Sequence, residues 1–277
     1  MMSDELDFEY LLEDIHSNDK QKQRDALYKL AQMHSSDARR MMLSLLDHKN
    51  REVRVILIQA LTHLKVTMAI EKITEMLQDR SKEVRKAAAR SLGVFLAENA
   101  VSALADALLS DESSLVRNEA AKALSIIASP EALPELLEAL AADQSSYVRY
   151  SAAEALGMIG DKNALDALEH ALLNDENSYV RFAAAHALSQ FNDETSIPTL
   201  IQAMNDRNLQ VLQVVSESLW DMEESAVPHI RAALLAPDMT TRRAGFKALM
   251  WLTTDSAENT VVMDDDDILS GIWGWWN

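Results

Sequence analysis

Apolar and polar positions recur along this chain with a period of 30 to 32 residues. The recurring segment is clearest as Val-Arg-x-x-Ala-Ala-x-Ala-Leu, and one Ala is replaced by Ser in its first clear copy. The four clear copies occupy residues 84–92, 116–124, 148–156 and 180–188, and weaker copies begin at 22, 53, 211 and 241. A unit of this size cannot bury its own apolar face, so a fixed period predicts a solenoid of stacked units.

Within one unit the spacing predicts two helices joined by a short polar turn. The first helix is expected to open at Pro130, where the missing amide has no helical partner to lose. The second is expected to begin near Tyr147, with Ser145 as a candidate cap, and to end at Gly157 or Gly160. The apolar positions of the two helices follow helical spacing at Leu133, Leu136, Leu137 and Leu140, and at Val148, Ala152, Ala155, Leu156 and Ile159.

These features predict an all-α fold. We expect an α-solenoid of about eight helix pairs, wound into a right-handed superhelix with a concave groove. Aromatic residues make up only 5% of the chain, and it contains six Gly and five Pro, which suits closely packed helices. We assign residues 1–252 to the repeat array and residues 253–277 to an acidic, Trp-rich tail.

Charge and cysteine content narrow the classes of function. The 26 Lys and Arg against 44 Asp and Glu give a net charge of −18, which repels a phosphate backbone and argues against nucleic acid as a partner. The absence of Cys excludes disulfides, thiol nucleophiles and cysteine-ligated metals. The acidic first residues do not resemble a signal peptide, and no apolar run approaches a bilayer span. We therefore expect a cytoplasmic protein without a membrane partner.

Asp and Arg keep a constant offset of six residues in the four clear copies. The pairs are Asp79 and Arg85, Asp111 and Arg117, Asp143 and Arg149, and Asp175 and Arg181. Together with the Val-Arg-x-x-Ala-Ala pattern, they make the chain from about residue 5 to 252 resemble HEAT repeats, particularly the phycobilisome-lyase type. The resemblance implies that these residues form a structural ladder of hydrogen bonds between successive units. Gln23 and Leu212 replace the Arg, so we expect the ladder to be interrupted near both ends.

The resemblance also implies which positions of the second helices face the groove. The first four units place a basic strip there, consisting of Arg24, Arg51, Lys82, Lys86, Arg90 and Lys122. The next two units place an aromatic cluster there, consisting of Tyr147, Tyr150, Tyr179, Phe182 and His186. We expect the cluster, with Lys86, Arg90 and Lys122, to bind an acidic-aromatic segment of a partner protein. The alternative is that the rings are partly buried between neighbouring units.

The sequence gives little support for catalysis or for a metal. The HEAT-repeat enzyme deoxyhypusine hydroxylase binds iron through His-Glu dipeptides, whereas this chain has only the reverse order at Glu169-His170. The other His residues share no predicted face, and no nucleophile elbow or glycine-rich phosphate loop occurs. We predict no metal, no cofactor and no catalytic residue, and we favour a non-catalytic chain; a bilin lyase-like activity is the enzymatic alternative.

The last residues break the repeat. Four consecutive Asp, residues 264–267, precede an apolar end that includes Trp273, Trp275 and Trp276. Clustered Trp at the surface usually marks a docking element, so we expect this tail to bind a partner or to enter the groove of its own chain.

Two functions remain after these exclusions. The first is a non-catalytic adaptor, scaffold or chaperone that holds a protein or peptide in the groove. The alternative, implied by the resemblance, is a bilin lyase or isomerase, or a phycobilisome-degradation protein, that binds a tetrapyrrole-bearing phycobiliprotein. Tyr150, Phe182 and His186 would then pack against the tetrapyrrole. A DNA-repair glycosylase on this scaffold would need a basic groove along its length, which the net charge opposes.

Overall fold

The structure, a computed structural model, describes residues 2–17, 19–33 and 35–253. Within these ranges the chain forms sixteen α-helices and no strand, and successive helices form eight pairs. This confirms the predicted all-α solenoid. Contacts divide the chain into two compact units, Met1–Ala139 and Leu140–Asn277, and each is described by itself.

The first unit contains eight complete α-helices. They are α1 (Met2–His16), α2 (Lys20–Gln32), α3 (Ser36–Ser44), α4 (Arg51–His63), α5 (Ile70–Glu75), α6 (Lys82–Phe95), α7 (Val101–Ser110) and α8 (Ser114–Ile127). Short 3-10 turns precede the first helix of several pairs. Pro130–Ala132 is such a turn, so the first helix of that pair opens with a 3-10 turn at Pro130 and becomes α-helical at Leu133.

The second unit contains seven further complete α-helices. The boundary between the units falls within α9 (Leu133–Ala142). The helices that follow are α10 (Ser146–Ile159), α11 (Leu165–Asn174), α12 (Ser178–Phe191), α13 (Ile197–Ala203), α14 (Leu209–Asp221), α15 (Glu223–Leu234) and α16 (Met239–Thr253). The acidic run 264–267 and Trp273, Trp275 and Trp276 lie outside the described residues.

The core of each unit is formed by the Val, Ala and Leu positions of the repeat. In α10, Val148, Ala152 and Leu156 are completely buried, and the equivalent residues of α6, α8 and α12 are buried as well. Burying a Val or Leu side chain stabilises the fold by roughly 1.5–3 kcal/mol relative to leaving it exposed. The small Ala side chains between them allow neighbouring helices to approach closely.

The two candidate glycine terminators of α10 have different roles. Gly160 follows the helix with a left-handed φ of 69°, which confirms it as the terminator. Gly157 lies inside the helix, so its prediction as a terminator was wrong. A Cβ at Gly157 would lie only 2.9 Å from the Cβ of Ala187 in α12. Gly157 therefore allows α10 and α12 to pack closely.

The turn before α10 is held by an Asp side chain rather than by a Ser cap. Ser145 occupies the N-cap position, but its side chain makes no capping hydrogen bond. Its backbone amide donates instead to Oδ1 of Asp143 at 2.7 Å. The Asp of the repeat thus fixes the turn from which the second helix starts.

Candidate functional site

Most second helices contribute an Arg that forms a link of the ladder, as Arg149 illustrates. Nε and Nη2 of Arg149 donate to the two carboxylate oxygens of Asp175 at 2.7 and 3.0 Å. Nη1 donates to the backbone carbonyl of Asp143 at 2.9 Å. Oδ1 of Asp175 also accepts from the amide of Asn177 at 2.8 Å. One guanidinium therefore fixes the turn before its own helix and the turn before the next second helix.

The same bidentate geometry recurs in both units. Arg181 binds Asp206 in the second unit, and Arg85 binds Asp111 in the first. Nη1 of Arg117 donates to the carbonyl of Asp111 at 2.9 Å. The hydrogen bonds that Arg85, Arg149 and Arg181 donate to the Asp carboxylates raise the pKa of each guanidinium above its usual value, against the opposing effect of burial.

The residues that pair across the ladder are not the ones that lie six apart in sequence. Arg85, Arg149 and Arg181 each bind the backbone carbonyl, not the carboxylate, of the Asp six residues before them, and each binds the carboxylate of the Asp 25 or 26 residues after it. The offset of six residues therefore missed two members of the ladder. Arg54 has His48 rather than Asp six residues before it, and it binds Asp79 at 2.7 Å. Asp206 has Leu212 rather than Arg six residues after it. An Arg followed 25 or 26 residues later by Asp would have identified both.

The two ends of the ladder differ. At Gln23 the expected interruption is not found, because its amide nitrogen donates to the carbonyl of Ser17 at 2.7 Å and its amide oxygen accepts from Asn50 at 2.9 Å. A neutral side chain thus links the same two turns as the Arg does elsewhere, through different partners. The side chain of Leu212 has no hydrogen-bond donor, so the ladder does not continue from this position beyond Asp206.

The aromatic cluster lies on two neighbouring helices of the second unit. Tyr147 on α10 and Tyr179 on α12 are 77% and 65% exposed, and Tyr150 and Phe182, one turn further along, are half-buried. The two helices pack against each other. Equivalent positions on α10 and α12 therefore present four aromatic rings along one side of the unit, which we call the second-helix face.

Two of these rings are held by neighbours on their own helices. The hydroxyl of Tyr150 donates to Oε1 of Glu154 at 2.9 Å, and burial together with this bond raises the pKa of Tyr150 to about 12. The hydroxyl therefore stays protonated at neutral pH. The rings of Phe182 and His186 stack with their centroids 6.3 Å apart and an interplanar angle of 14°.

The positive charge expected beside the rings is not on the same helices. Both Arg residues of α10 and α12 are engaged in the ladder, and residues 140–253 contain 8 Lys and Arg against 15 Asp and Glu. Lys86, Arg90 and Lys122 lie on α6 and α8 in the first unit. Arg90 and Lys122 are exposed, and Nζ of Lys86 lies 4.0 Å from a carboxylate oxygen of Glu119.

No group of three or more potential metal ligands occurs among the residues that the structure describes. His16 and His48 contact each other edge to face, with ring centroids 5.2 Å apart. Within the same ranges, no helix combines the length and the apolar composition needed to cross a bilayer.

This arrangement, in which helix pairs repeat in register and an Arg and an Asp link most successive repeats, defines an α-solenoid repeat protein. A family profile described as HEAT repeats matches residues 70–157 and 133–220, which together cover more than half of the chain. The chain belongs to the HEAT-repeat family.

Solved structures agree with this fold. The YibA protein of Escherichia coli is 20% identical with a TM-score of 0.54, and the match covers 94% of this chain and 98% of that one. An engineered protein is 21% identical with a TM-score of 0.54 and coverages of 88% and 78%. The complex of CpcE and CpcF, a phycocyanin lyase of Nostoc sp., matches at 20% identity with a TM-score of 0.50 and coverages of 85% and 94%. No curated protein matches the sequence.

Proposed function

We propose that this HEAT-repeat protein is a non-catalytic adaptor, scaffold or chaperone that holds another protein or peptide on its second-helix face in the cytoplasm. The observation that carries the proposal is the exposure of the aromatic cluster on α10 and α12. Large rings at the surface of a folded protein commonly mark binding sites, and aromatic residues dominate the energetics of protein interfaces. Exposed cations such as Arg90 and Lys122 would contribute mainly to steering the partner.

The local structure suits the rings to this role. The close packing at Gly157 and the link from Arg149 to Asp175 hold α10 and α12 in fixed register. Tyr150 and Phe182 are further restrained by Glu154 and His186. A surface that is ordered before binding loses less conformational entropy when a partner arrives. The order of these rings therefore favours a binding surface over exposed rings that have no binding role.

Replacing Phe182 by Ala is expected to weaken partner binding about thirtyfold, which corresponds to about 2 kcal/mol. The ring is half-buried, so its loss removes contact area at the middle of the cluster. Binding would be measured by quantitative cross-linking in native cell extract, followed by titration of the captured partner.

Tyr28→Ala provides the matched control, because Tyr28 is a 60% exposed tyrosine on α2, outside the aromatic cluster. Equal capture by the Phe182→Ala and wild-type chains, with unchanged helicity, would remove the aromatic cluster as the binding surface. Mixing the chain with a bilin-bearing phycobiliprotein tests the lyase alternative, since a change in visible absorbance would reveal tetrapyrrole binding.

We also propose that the tail docks on the partner. Its run of four Asp and its three Trp combine charge with apolar rings, which provides both steering and burial. Deleting residues 254–277 is therefore expected to reduce partner capture while the melting temperature stays the same. An increase in affinity after the deletion would instead show that the tail occupies the binding face of its own chain.

A further inference from the structure

A depression of about 360 Å³ lies between α2 and α4 in the first unit. Leu27 from α2 and Val53, Val55 and Ile56 from α4 form its apolar floor. Three cations, Lys20, Arg24 and Arg51, and two carboxylates, Glu52 and Glu83, form its rim. The site thus combines an apolar recess with more positive than negative groups around its opening.

The sequence around this depression has a charge opposite to that of the whole chain. Residues 20–90 contain 16 Lys and Arg against 8 Asp and Glu, a net charge of +8, whereas the complete chain carries −18. A local surface of one sign raises the concentration of ligands of the opposite sign and accelerates their association. The surface around α2 and α4 therefore attracts anionic groups.

The cations of the rim are available to an incoming carboxylate. Nζ of Lys20 lies 3.0 Å from Glu52 and Nη1 of Arg51 lies 3.6 Å from Glu83, and all four side chains are exposed. The hydrogen bond from Lys20 lowers the pKa of the Glu52 carboxyl. Exposed ion pairs contribute little net stability, so exchanging one carboxylate for another costs little. Arg24 has no salt-bridge partner within 4 Å among the described residues.

We propose that the depression between α2 and α4 is a second docking site, which takes an acidic segment of a partner protein with an aliphatic or aromatic side chain between its carboxylates. The carboxylates bind Lys20, Arg24 and Arg51, and the apolar side chain enters the recess over Leu27 and Ile56. The apolar floor gives a continuous phosphate backbone nothing to bury, whereas the apolar side chain of the segment fills it. This site lies in the other unit from the aromatic cluster, so it is independent of the function proposed above.

The test is a direct titration of the full chain with a defined probe. The probe is a fluorescein-labelled peptide of five aspartates that flank one leucine and one phenylalanine, and binding is followed by fluorescence anisotropy. Replacing both Arg24→Ser and Arg51→Ser is expected to weaken binding by about tenfold or more, because charge-assisted hydrogen bonds are lost. Arg207→Ser with Arg231→Ser is the matched control, since it removes the same charge from exposed positions in the second unit. The control variant is expected to bind like the wild type.

Further arms decide the chemistry of the occupant. A peptide with serine in place of its leucine and phenylalanine is expected to bind more weakly than the probe; equal binding would overturn the role of the recess. If the control variant lost as much affinity, the effect would come from the net charge of the chain and not from this site, and the proposal would be overturned. Oligothymidylate that binds as tightly as the probe, with the same dependence on Arg24 and Arg51, would replace the protein partner by nucleic acid.

The tail of this chain is the remaining competitor for the site. The full chain is expected to bind the probe as tightly as the chain truncated after residue 253. If only the truncated chain binds, the occupant is the tail and the partner assignment is wrong. If Phe182→Ala abolishes probe binding while Arg24→Ser with Arg51→Ser does not, the probe occupies the aromatic cluster and this site is overturned. Failure of this site and failure of the aromatic cluster are therefore distinguishable.

Discussion

Replacing Arg149 by Ala is expected to destabilise the fold by roughly 1–4 kcal/mol and to lower the melting temperature. The guanidinium binds both carboxylate oxygens of Asp175, and the two side chains are only 10% and 8% exposed. Without the Arg, the buried carboxylate of Asp175 keeps only its hydrogen bond from the backbone amide of Asn177. The carbonyl of Asp143 also loses the hydrogen bond that it accepts from the guanidinium. The loss therefore affects two turns at once. Thermal denaturation followed by far-UV circular dichroism measures it.

Arg207→Ala is the control for this experiment, because it removes the same charge from an exposed position. Its melting temperature is expected to remain close to that of the wild type. If Arg149→Ala melts like the wild type but fails to capture a partner, the ladder is part of the binding surface rather than a structural device.

Replacing Gly157 by Leu is expected to cost about 3 kcal/mol of stability through overpacking. Even the first added atom would approach the Cβ of Ala187 to 2.9 Å and its Cα to 3.0 Å. Because one of these atoms is backbone, α12 itself must move to make room. The variant would also disturb the aromatic cluster, since Tyr150 and Phe182 lie on the two helices that are forced apart.

Gly160→Asn separates this packing effect from the general effect of substituting a glycine. No atom lies within 4 Å of a Cβ built at Gly160, and Asn tolerates its left-handed φ better than most residues. Its denaturation midpoint is expected to change little. Comparable destabilisation of the two variants would contradict the close approach of α10 and α12 at Gly157.

The fold was predictable because its signal is periodic. Eight recurrences of the Val-Ala-Leu pattern fix the number of helix pairs and the buried side of each second helix, whatever the details of the turns. The roles of single residues depend on atoms that periodicity does not place. Gly157 looked like a terminator because Gly usually ends helices, but the neighbouring helix requires its missing side chain. The pairing of Arg149 with Asp175 joins one repeat to the next, so an offset within one repeat could not reveal it.

The binding surfaces were only partly predictable for the same reason. The positions of Tyr150 and Phe182 on equivalent turns follow directly from the repeat. The depression beside Arg24 does not follow from the repeat, because it lies between α2 and α4, which carry weak copies of the pattern. The bonds that restrain Tyr150 likewise depend on a Glu one turn away, which a periodic pattern does not distinguish from a solvated charge.

The ladder also bears on how the chain unfolds. Stability in a repeat protein is approximately a sum of the intrinsic stability of each repeat and a coupling term between nearest neighbours. A guanidinium such as that of Arg181, which fixes its own turn and the next one, contributes to the coupling term rather than to either repeat. In the next repeat Leu212 occupies the position of this Arg, so the guanidinium contributes nothing to the coupling there, while the intrinsic stability of each repeat remains. One neutral hydrogen bond, from Nδ2 of Asn205 to the carbonyl of Thr240 at 3.0 Å, still joins the turn before α14 to the start of α16. Because no charged, bidentate pair reinforces it from position 212, we expect the coupling between neighbouring repeats to be weak after α14 and a cooperative unfolding unit to end there.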